Sequence, residues 1–194
     1  MTRQPELFGA AEPSAHEFPE GFRYQDDLVT PDEEARLIDR IRRLPFREFD
    51  FHGFKGKRRI VSFGRHYDLS SQRLRDADDI PDYLLALREK TAAFAACEAT
   101  DLQHVLVTEY APGAGIGWHR DKAVFGIVAG VSLLSHCVFR LRRKAGERWE
   151  RVSIVVEPRS AYLLSGPSRD KWEHSIPPVG SRRYSVTFRN MRES

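Results

Sequence analysis

The residues best able to do chemistry are an imidazole and a carboxylate in the short segment Trp118-His119-Arg120-Asp121. In an extended backbone, side chains two residues apart point to the same side. His119 and Asp121 can therefore converge on one point while Arg120 points away. An imidazole and a carboxylate together suit a divalent metal of intermediate hardness. The segment thus predicts part of a metal site, which needs a further imidazole to complete it.

Two histidines in the second half of the chain are candidates for that further imidazole. His174 is the better one and lies in Trp172-Glu173-His174-Ser175, within a region of short strand-like runs. His136 is the main rival, since it stands at the start of another predicted strand. Two histidines and one carboxylate are the ligand set of non-haem Fe(II) oxygenases, which leaves coordination positions open.

A strand near the end of the chain alternates between polar and apolar residues. The apolar positions can enter a core, whereas the polar positions place Arg183 and Arg189 on one face, about 20 Å apart by strand rise. Both arginines can contact one small diacid only if their side chains lean inward. Arginine binds a carboxylate through two parallel hydrogen bonds. The pattern favours a carboxylate-binding strand, and the alternative is an edge strand with solvated arginines.

Four segments, taken in order, resemble the AlkB family of Fe(II)/2-oxoglutarate-dependent dioxygenases. They are Tyr110-Ala-Pro-Gly-Ala, His119-Arg-Asp121-Lys122, Ser168-Arg-Asp-Lys-Trp-Glu-His174 and Arg183-Tyr-Ser-Val-Thr-Phe-Arg189. The resemblance implies that His119, Asp121 and His174 hold Fe(II). It also implies that 2-oxoglutarate is bound by Thr108, Tyr110, Arg183, Ser185 and Arg189. Among these, Arg183 would pair with the distal carboxylate and Arg189 would lie near the end that chelates iron. Thr108 and Ser185 replace the asparagines of the best-known members.

The resemblance further implies an activity that uses Fe(II), 2-oxoglutarate and O₂. The expected reaction is oxidative demethylation of nucleic-acid bases in DNA or RNA alkylation repair, which releases formaldehyde, succinate and CO₂. The first alternative is an AlkB-like hydroxylase or demethylase that acts on protein, tRNA or a small molecule. The second is a binding module that kept the fold without catalysis.

A base inside a duplex cannot reach an iron centre, so the target must be single-stranded or flipped out. Such a site needs cations for phosphates and aromatic faces for stacking. We expect these groups in the basic segment 51–66 and beside the metal motif, although a solvated surface is the alternative. The predicted substrate-binding residues are Phe51, Phe54, Lys55, Lys57, Arg58, Arg59, Phe63, Lys122 and Arg140. In AlkB relatives an acid two positions after the metal-binding aspartate helps read the damaged base, whereas this chain has Ala123.

The elements expected to position these residues form an α+β fold. Thr30-Pro31-Asp32-Glu33 has the pattern of a capped helix start, and a second helix is expected after Pro81. Short strand-like runs follow from His104 onward. The resemblance implies a double-stranded β-helix (jelly roll) core with supporting N-terminal helices and a nucleotide-recognition lid. We expect a disordered arm at 1–20 and one domain at 21–194, with the lid at about 48–68 and the core at about 103–190.

The composition limits the class of protein further. The chain has 194 residues, two cysteines and a formal net charge of +3. Acids outnumber bases in the first hundred residues, and bases outnumber acids afterwards. No apolar run is long enough to cross a membrane, and we expect a cytoplasmic monomer. Gln4-Pro5-Glu6-Leu7-Phe8 is similar to peptides that dock on the bacterial sliding clamp, and the alternative is a tail without a partner.

Overall fold

A computed structural model describes residues 18–51, 54–68, 73–76 and 78–192, and it describes side chains within 18–48, 58–65 and 78–192. The predicted sliding-clamp peptide at 4–8 and most of the predicted arm lie outside the described residues. The side chains of four predicted substrate-binding residues also lie outside them. These four are Phe51, Phe54, Lys55 and Lys57.

The N-terminal helices form where the capping residues predict them. In α1 (Pro31–Ile41), the amide of Glu33 donates to Thr30 Oγ1 at 3.3 Å, and the amide of Thr30 donates to Glu33 Oε2 at 2.8 Å. This reciprocal pair satisfies two amides that the first turn leaves free. Helix α2 (Asp82–Ala95) ends where Ala96 adopts a left-handed conformation with φ 58°. A third helix, α3, spans Gly166–Asp170.

Twelve strands in the described part of the chain form two antiparallel sheets. The large sheet has the order β1-β10-β7-β12-β5-β3-β2, with β4 paired to β3, and the small sheet has the order β6-β11-β8-β9. The strands are β1 Phe22–Gln25, β2 Arg47–Phe51, β3 Phe54–Asp68, β4 Arg73–Asp76, β5 His104–Tyr110, β6 Ile116–His119, β7 Phe125–Leu133, β8 Cys137–Ala145, β9 Arg148–Val156, β10 Ala161–Leu164, β11 Glu173–Ile176 and β12 Arg183–Met191.

The large sheet separates two apolar cores because its side chains alternate between its faces. One face of the large sheet packs on α1 and α2 through residues such as Val107, Val186 and Phe188. Its inner face packs on the small sheet, where Tyr162 of β10 contacts Phe139 of β8 with ring centroids 4.5 Å apart. This arrangement of two facing sheets, with α1 and α2 packed on one side of the large sheet, confirms the predicted jelly roll.

The segment predicted as a lid forms the β2–β3 hairpin at one edge of the large sheet. From Arg58 to Gly64, β3 pairs residue by residue with β5. Part of the predicted lid is therefore built into the main sheet, and a lid function stays a prediction. The domain boundaries likewise stay predictions. No helix among the described residues is long and apolar enough to cross a membrane.

Candidate active site

Two neighbouring strands of the small sheet bring the predicted metal ligands together. His119 ends β6 and pairs in register with His174 of β11, while Asp121 follows two residues later. The imidazole rings have centroids 4.2 Å apart, and His174 Nε2 lies 3.6 Å from Asp121 Oδ2. One ligand atom from each of the three residues lies within 4.8 Å of the other two. His136 does not belong to this group and is exposed at the start of β8.

Both imidazoles are held in a state that can bind a metal. The carbonyl of Gly117 lies 2.8 Å from His119 Nδ1 and can only accept, so the proton is on Nδ1 and Nε2 keeps its lone pair. Burial lowers the pKa of His119, and it lowers the pKa of His174 to about 3. Both rings are therefore neutral near pH 7, as metal binding requires.

One oxygen of Asp121 is bound by an arginine and the other is left without a partner. Arg189 donates to Oδ1 from Nε at 2.9 Å and from Nη2 at 2.8 Å. Burial alone would raise the pKa of Asp121, but the charge of Arg189 lowers it. Oδ2 is buried and accepts no hydrogen bond within the described residues. An ionised, unpartnered oxygen beside two neutral imidazoles fits a divalent cation such as Fe(II).

A second set of buried polar atoms without partners belongs to Arg183. Its side chain is fully buried, its Nε donates to Ser132 Oγ at 3.1 Å, and its guanidinium lies 5.2 Å from the ring of Tyr110. Nη1 and Nη2 have no hydrogen-bond partner among the described residues. A buried guanidinium is costly unless it is paired. Two free parallel donors fit one carboxylate, as expected for the distal end of 2-oxoglutarate.

Small polar residues lie beside Arg183 on the inner face of the large sheet. In register, Ser185 of β12 lies between Thr108 of β5 and Ser132 of β7. Nearby, the ring of Tyr162 covers Gly130, where an added Cβ would lie 2.3 Å from the Tyr162 ring. The predicted residues Thr108, Tyr110 and Ser185 are thus brought together, and Ser132 and Tyr162 are additions that the sequence analysis missed.

The two arginines of β12 have different partners. Arg189 is bound to Asp121 and also lies 3.4 Å from Nδ1 of the buried His104. Only Arg183 of the pair has unpartnered Nη atoms within the described part of the chain. The two arginines have different partners because they are six residues apart on β12, so that each guanidinium lies at a different end of the pocket.

The predicted substrate-binding residues with described side chains lie in several environments. Arg58 pairs in register with Tyr110 and faces the pocket, whereas Arg59 faces the other way and binds Glu109 Oε1 at 2.8 Å. Phe63 is only 6% exposed and packs in the core beside the helices. Its ring is therefore unavailable for stacking on a base, which corrects that expectation. Lys122 is exposed beside the metal ligands.

The face of the small sheet that points away from the pocket is aromatic and basic, and we call it the outer face. Arg142 lies between two indoles, with its Cζ 4.4 Å from the ring of Trp118 and 4.3 Å from that of Trp149. Its Nε donates to Glu173 Oε2 at 2.7 Å. Arg140 lies 4.9 Å from the Trp118 ring and donates to Ser175. The outer face lies on the opposite side of the small sheet from the metal ligands, because Trp118 directly precedes His119 in β6.

The fold and the unpartnered groups of the pocket define an oxygenase of the type that binds a metal and a diacid. A family model described as the 2OG-Fe(II) oxygenase superfamily matches residues 21–192. The chain belongs to this superfamily and is an Fe(II)- and 2-oxoglutarate-dependent dioxygenase, with Fe(II), 2-oxoglutarate and O₂ as its cofactor and cosubstrates.

Similar proteins also bear out the AlkB resemblance. The chain is 30% identical to "Probable RNA/DNA demethylase ALKBH6" of Danio rerio, covering 84% of this chain and 72% of that protein. It is 26% identical to "Uncharacterized protein L905" of Acanthamoeba polyphaga mimivirus, with 88% and 85% covered. It is 24% identical to "Alkylated DNA repair protein ALKBH8 homolog" of Arabidopsis thaliana, where it covers 86% of this chain but only 57% of the relative. The solved structure of OsALKBH1 has the same fold, with a TM-score of 0.62 at 17% identity over 88% of this chain and 96% of that one.

Proposed function

We propose that this dioxygenase removes alkyl groups from nucleic-acid bases by oxidative demethylation, in DNA or RNA alkylation repair. One observation carries the proposal: the small sheet has the metal ligands on one face and, on its other face, a basic surface with an exposed indole. Two relatives whose names refer to RNA/DNA demethylation and alkylated DNA repair support it. The target is a base that is single-stranded or flipped out of a duplex.

In this proposal each group of the pocket has a separate task. His119, His174 and Asp121 Oδ2 hold Fe(II), which together with 2-oxoglutarate supplies the oxidising chemistry when bound. Arg183 binds the distal carboxylate of 2-oxoglutarate, beside Tyr110 and Ser185. Arg189 keeps Asp121 ionised and leaves Oδ2 free to face the metal. Arg183, His174 and Asp121 Oδ2 are buried, and burial strengthens each electrostatic contact.

The outer face supplies the groups that a polynucleotide requires. Lys144 and Arg151 are exposed there, and the indole of Trp149 is 39% exposed. Glu173 is the one acid that contacts Arg142 within the described residues, and it leaves the other cations of the face available for phosphates. Exposed indoles stack on bases of any sequence, while lysines and arginines follow the phosphates.

A panel of oligonucleotides tests the proposal. Methylated and etheno-modified bases would be presented in single-stranded DNA, duplex DNA and RNA, with Fe(II), 2-oxoglutarate and O₂. Formaldehyde and repaired base are expected for at least one of them. His119→Ala should abolish this signal, whereas His136→Ala, which changes an exposed histidine outside the metal group, should retain it.

The panel also separates the proposal from its alternative. If no modified nucleic acid is repaired while succinate accumulates with a protein or small-molecule substrate, the proposed demethylase function is wrong. The dioxygenase assignment would survive that result, because it depends on the family match and not on the substrate.

A further inference from the structure

The strand pair β3–β5 directs two adjacent arginines of the basic segment to opposite faces of the large sheet. Arg59 faces outward, where it binds Glu109 at 2.8 Å and lies 5.6 Å from the ring of Phe46. Arg58 faces the pocket, because its partner in register is Tyr110, whose ring lies beside Arg183. Only one of these two guanidiniums can therefore meet a base held at the metal.

The surroundings of Arg58 are those of the active site. It is half-buried and donates a hydrogen bond to the hydroxyl of Tyr110. Its charge interacts with those of Arg189 and Asp121, and it disfavours protonation of His119. The largest influence on its pKa is burial, which lowers it. Arginine nevertheless keeps its proton at neutral pH. The pocket therefore holds a fixed positive charge close to the metal ligands.

The loop that follows Asp121 carries no further acidic side chain. Asp121 is bound by Arg189, and the residues that follow it are Lys122, Ala123 and Val124, none of which is negative. The same loop is held in place by Arg169, which donates to the carbonyls of Lys122 and Phe125. A base that enters beside this loop meets the cation Lys122, and the one carboxylate of residues 121–124, that of Asp121, is paired with Arg189 through Oδ1.

We propose that Arg58 makes the pocket selective for neutral alkylated bases that carry carbonyl oxygens, and selective against cationic alkylated bases. This inference rests on the proposed function. A guanidinium offers only donors, which match the carbonyl edge of a thymine, uracil or guanine. A positively charged base, such as one methylated at the ring nitrogen of cytosine, would be repelled at short range in a poorly solvated pocket.

Two oligonucleotides of identical sequence test the proposal. One contains 3-methylthymine, which is neutral, and the other contains 3-methylcytosine, which is cationic at neutral pH. The N-methyl bond that breaks is equivalent in both. We expect the wild-type enzyme to turn over the neutral base at least about tenfold faster, as repulsion of two like charges in a partly buried site predicts.

Variants of the two adjacent arginines sharpen this test. Arg58→Gln removes the charge and should bring the two rates within about threefold of each other. Arg58→Glu inverts the charge and should reverse the preference. Arg58→Lys keeps the charge and should preserve the preference. Arg59→Gln is the matched control and should leave the preference as in the wild type. Anisotropy measurements with metal-free protein should give the same order of affinities, which provides a readout that does not depend on turnover.

Each outcome either supports or overturns the inference. A wild-type preference for 3-methylcytosine, or a preference that Arg58→Gln leaves unchanged, overturns it while the proposed function stands. If neither base is turned over by any variant and no other modified base in the panel is repaired, the proposed function itself fails. A stability loss in Arg58→Gln is recognised by thermal unfolding, and Arg58→Lys then carries the comparison.

Discussion

Arginines line both the inner face of the large sheet and the outer face of the small sheet, but they are partnered differently. On the inner face, Arg183 is buried and two of its nitrogens have no partner within the described residues. On the outer face, Arg142 is enclosed by Trp118, Trp149 and Glu173. An arginine such as Arg142, whose guanidinium contacts aromatic rings and a carboxylate, stabilises the sheet around it. A buried arginine with open donors costs stability and is explained by a ligand.

The two faces also differ in what they can recognise. The pocket between the sheets has fixed donors from the large sheet and metal-ligand atoms from the small sheet, which suits a small molecule held in one orientation. The outer face presents indoles and long cationic side chains to solvent, which suits a polymer bound in many registers. Variants of the pocket should therefore change the chemistry, whereas variants of the outer face should change affinity for nucleic acid and leave the chemistry unchanged.

The largest effect expected is that of removing a metal ligand. His174→Ala takes away one of three converging ligand atoms and should lower turnover by more than about 1000-fold, since the metal supplies the reaction chemistry. Binding of Mn(II) to the protein, followed by electron paramagnetic resonance, should weaken in parallel. Retention of more than a tenth of wild-type turnover would exclude His174 as a ligand.

The next effect separates ligand binding from stability. Arg183→Met should raise the KM for 2-oxoglutarate by about 100-fold, because it removes a bidentate, charge-assisted contact of about 3 kcal/mol. The melting temperature of the protein without cosubstrate should not fall, since a buried unpaired charge is replaced by an apolar chain. Arg182→Met, at an exposed neighbour, is the control and should change neither quantity. A lower melting temperature with an unchanged KM would make Arg183 a structural residue.

The pH dependence of stability should also differ between the buried pocket and the exposed outer face. The pKa of His174 is about 3 when folded, well below the usual value near 6.5. Below about pH 6.5 the unfolded chain binds a proton that the folded chain does not, so stability falls as the pH decreases. We expect this residue to reduce the free energy of unfolding of the metal-free protein by about 2 kcal/mol between pH 7 and pH 5.

Urea unfolding of His174→Leu measures that contribution. The variant should lose the corresponding part of the pH dependence, whereas His136→Leu, which changes an exposed histidine, should keep it. An identical pH dependence in wild type and His174→Leu would contradict the assignment of a neutral, buried imidazole at this position.

The smallest effect belongs to the outer face. Trp149→Ala should weaken binding of single-stranded nucleic acid by about tenfold, as the loss of one stacking indole predicts. Its stability cost should stay near 1 kcal/mol, since the lost contact with Arg142 is partly exposed. Turnover of a free modified nucleoside should be unchanged. Val155→Ala removes an exposed apolar residue from the same strand and face and is the control. Equal losses of affinity in both variants would remove the outer face from the proposed nucleic-acid surface.

Much of the fold follows from local signals in the chain. The capping residues around Thr30 predict the start of α1, and the alternating run of β12 predicts which of its residues share a face. Strand β1 was not predicted, because its four residues of mixed polarity give no clear pattern, unlike the apolar run of the equally short β10. The long strand β3 was expected as a lid, but its pairing with β5 depends on residues far away in the chain.

The chemical identity of the pocket was present in the residue types and their order, since a histidine, a carboxylate and two arginines of suitable spacing limit what can bind. Alternation alone also determined that Arg58 and Arg59 point in opposite directions. Which direction leads to the pocket depended on the strands that pair on either side. Strand packing likewise decided that Phe63 lies in the core and that Ser132 is within hydrogen-bond distance of Arg183. Local periodicity separates the two faces of a strand, but only packing between distant segments decides which face is buried against the site.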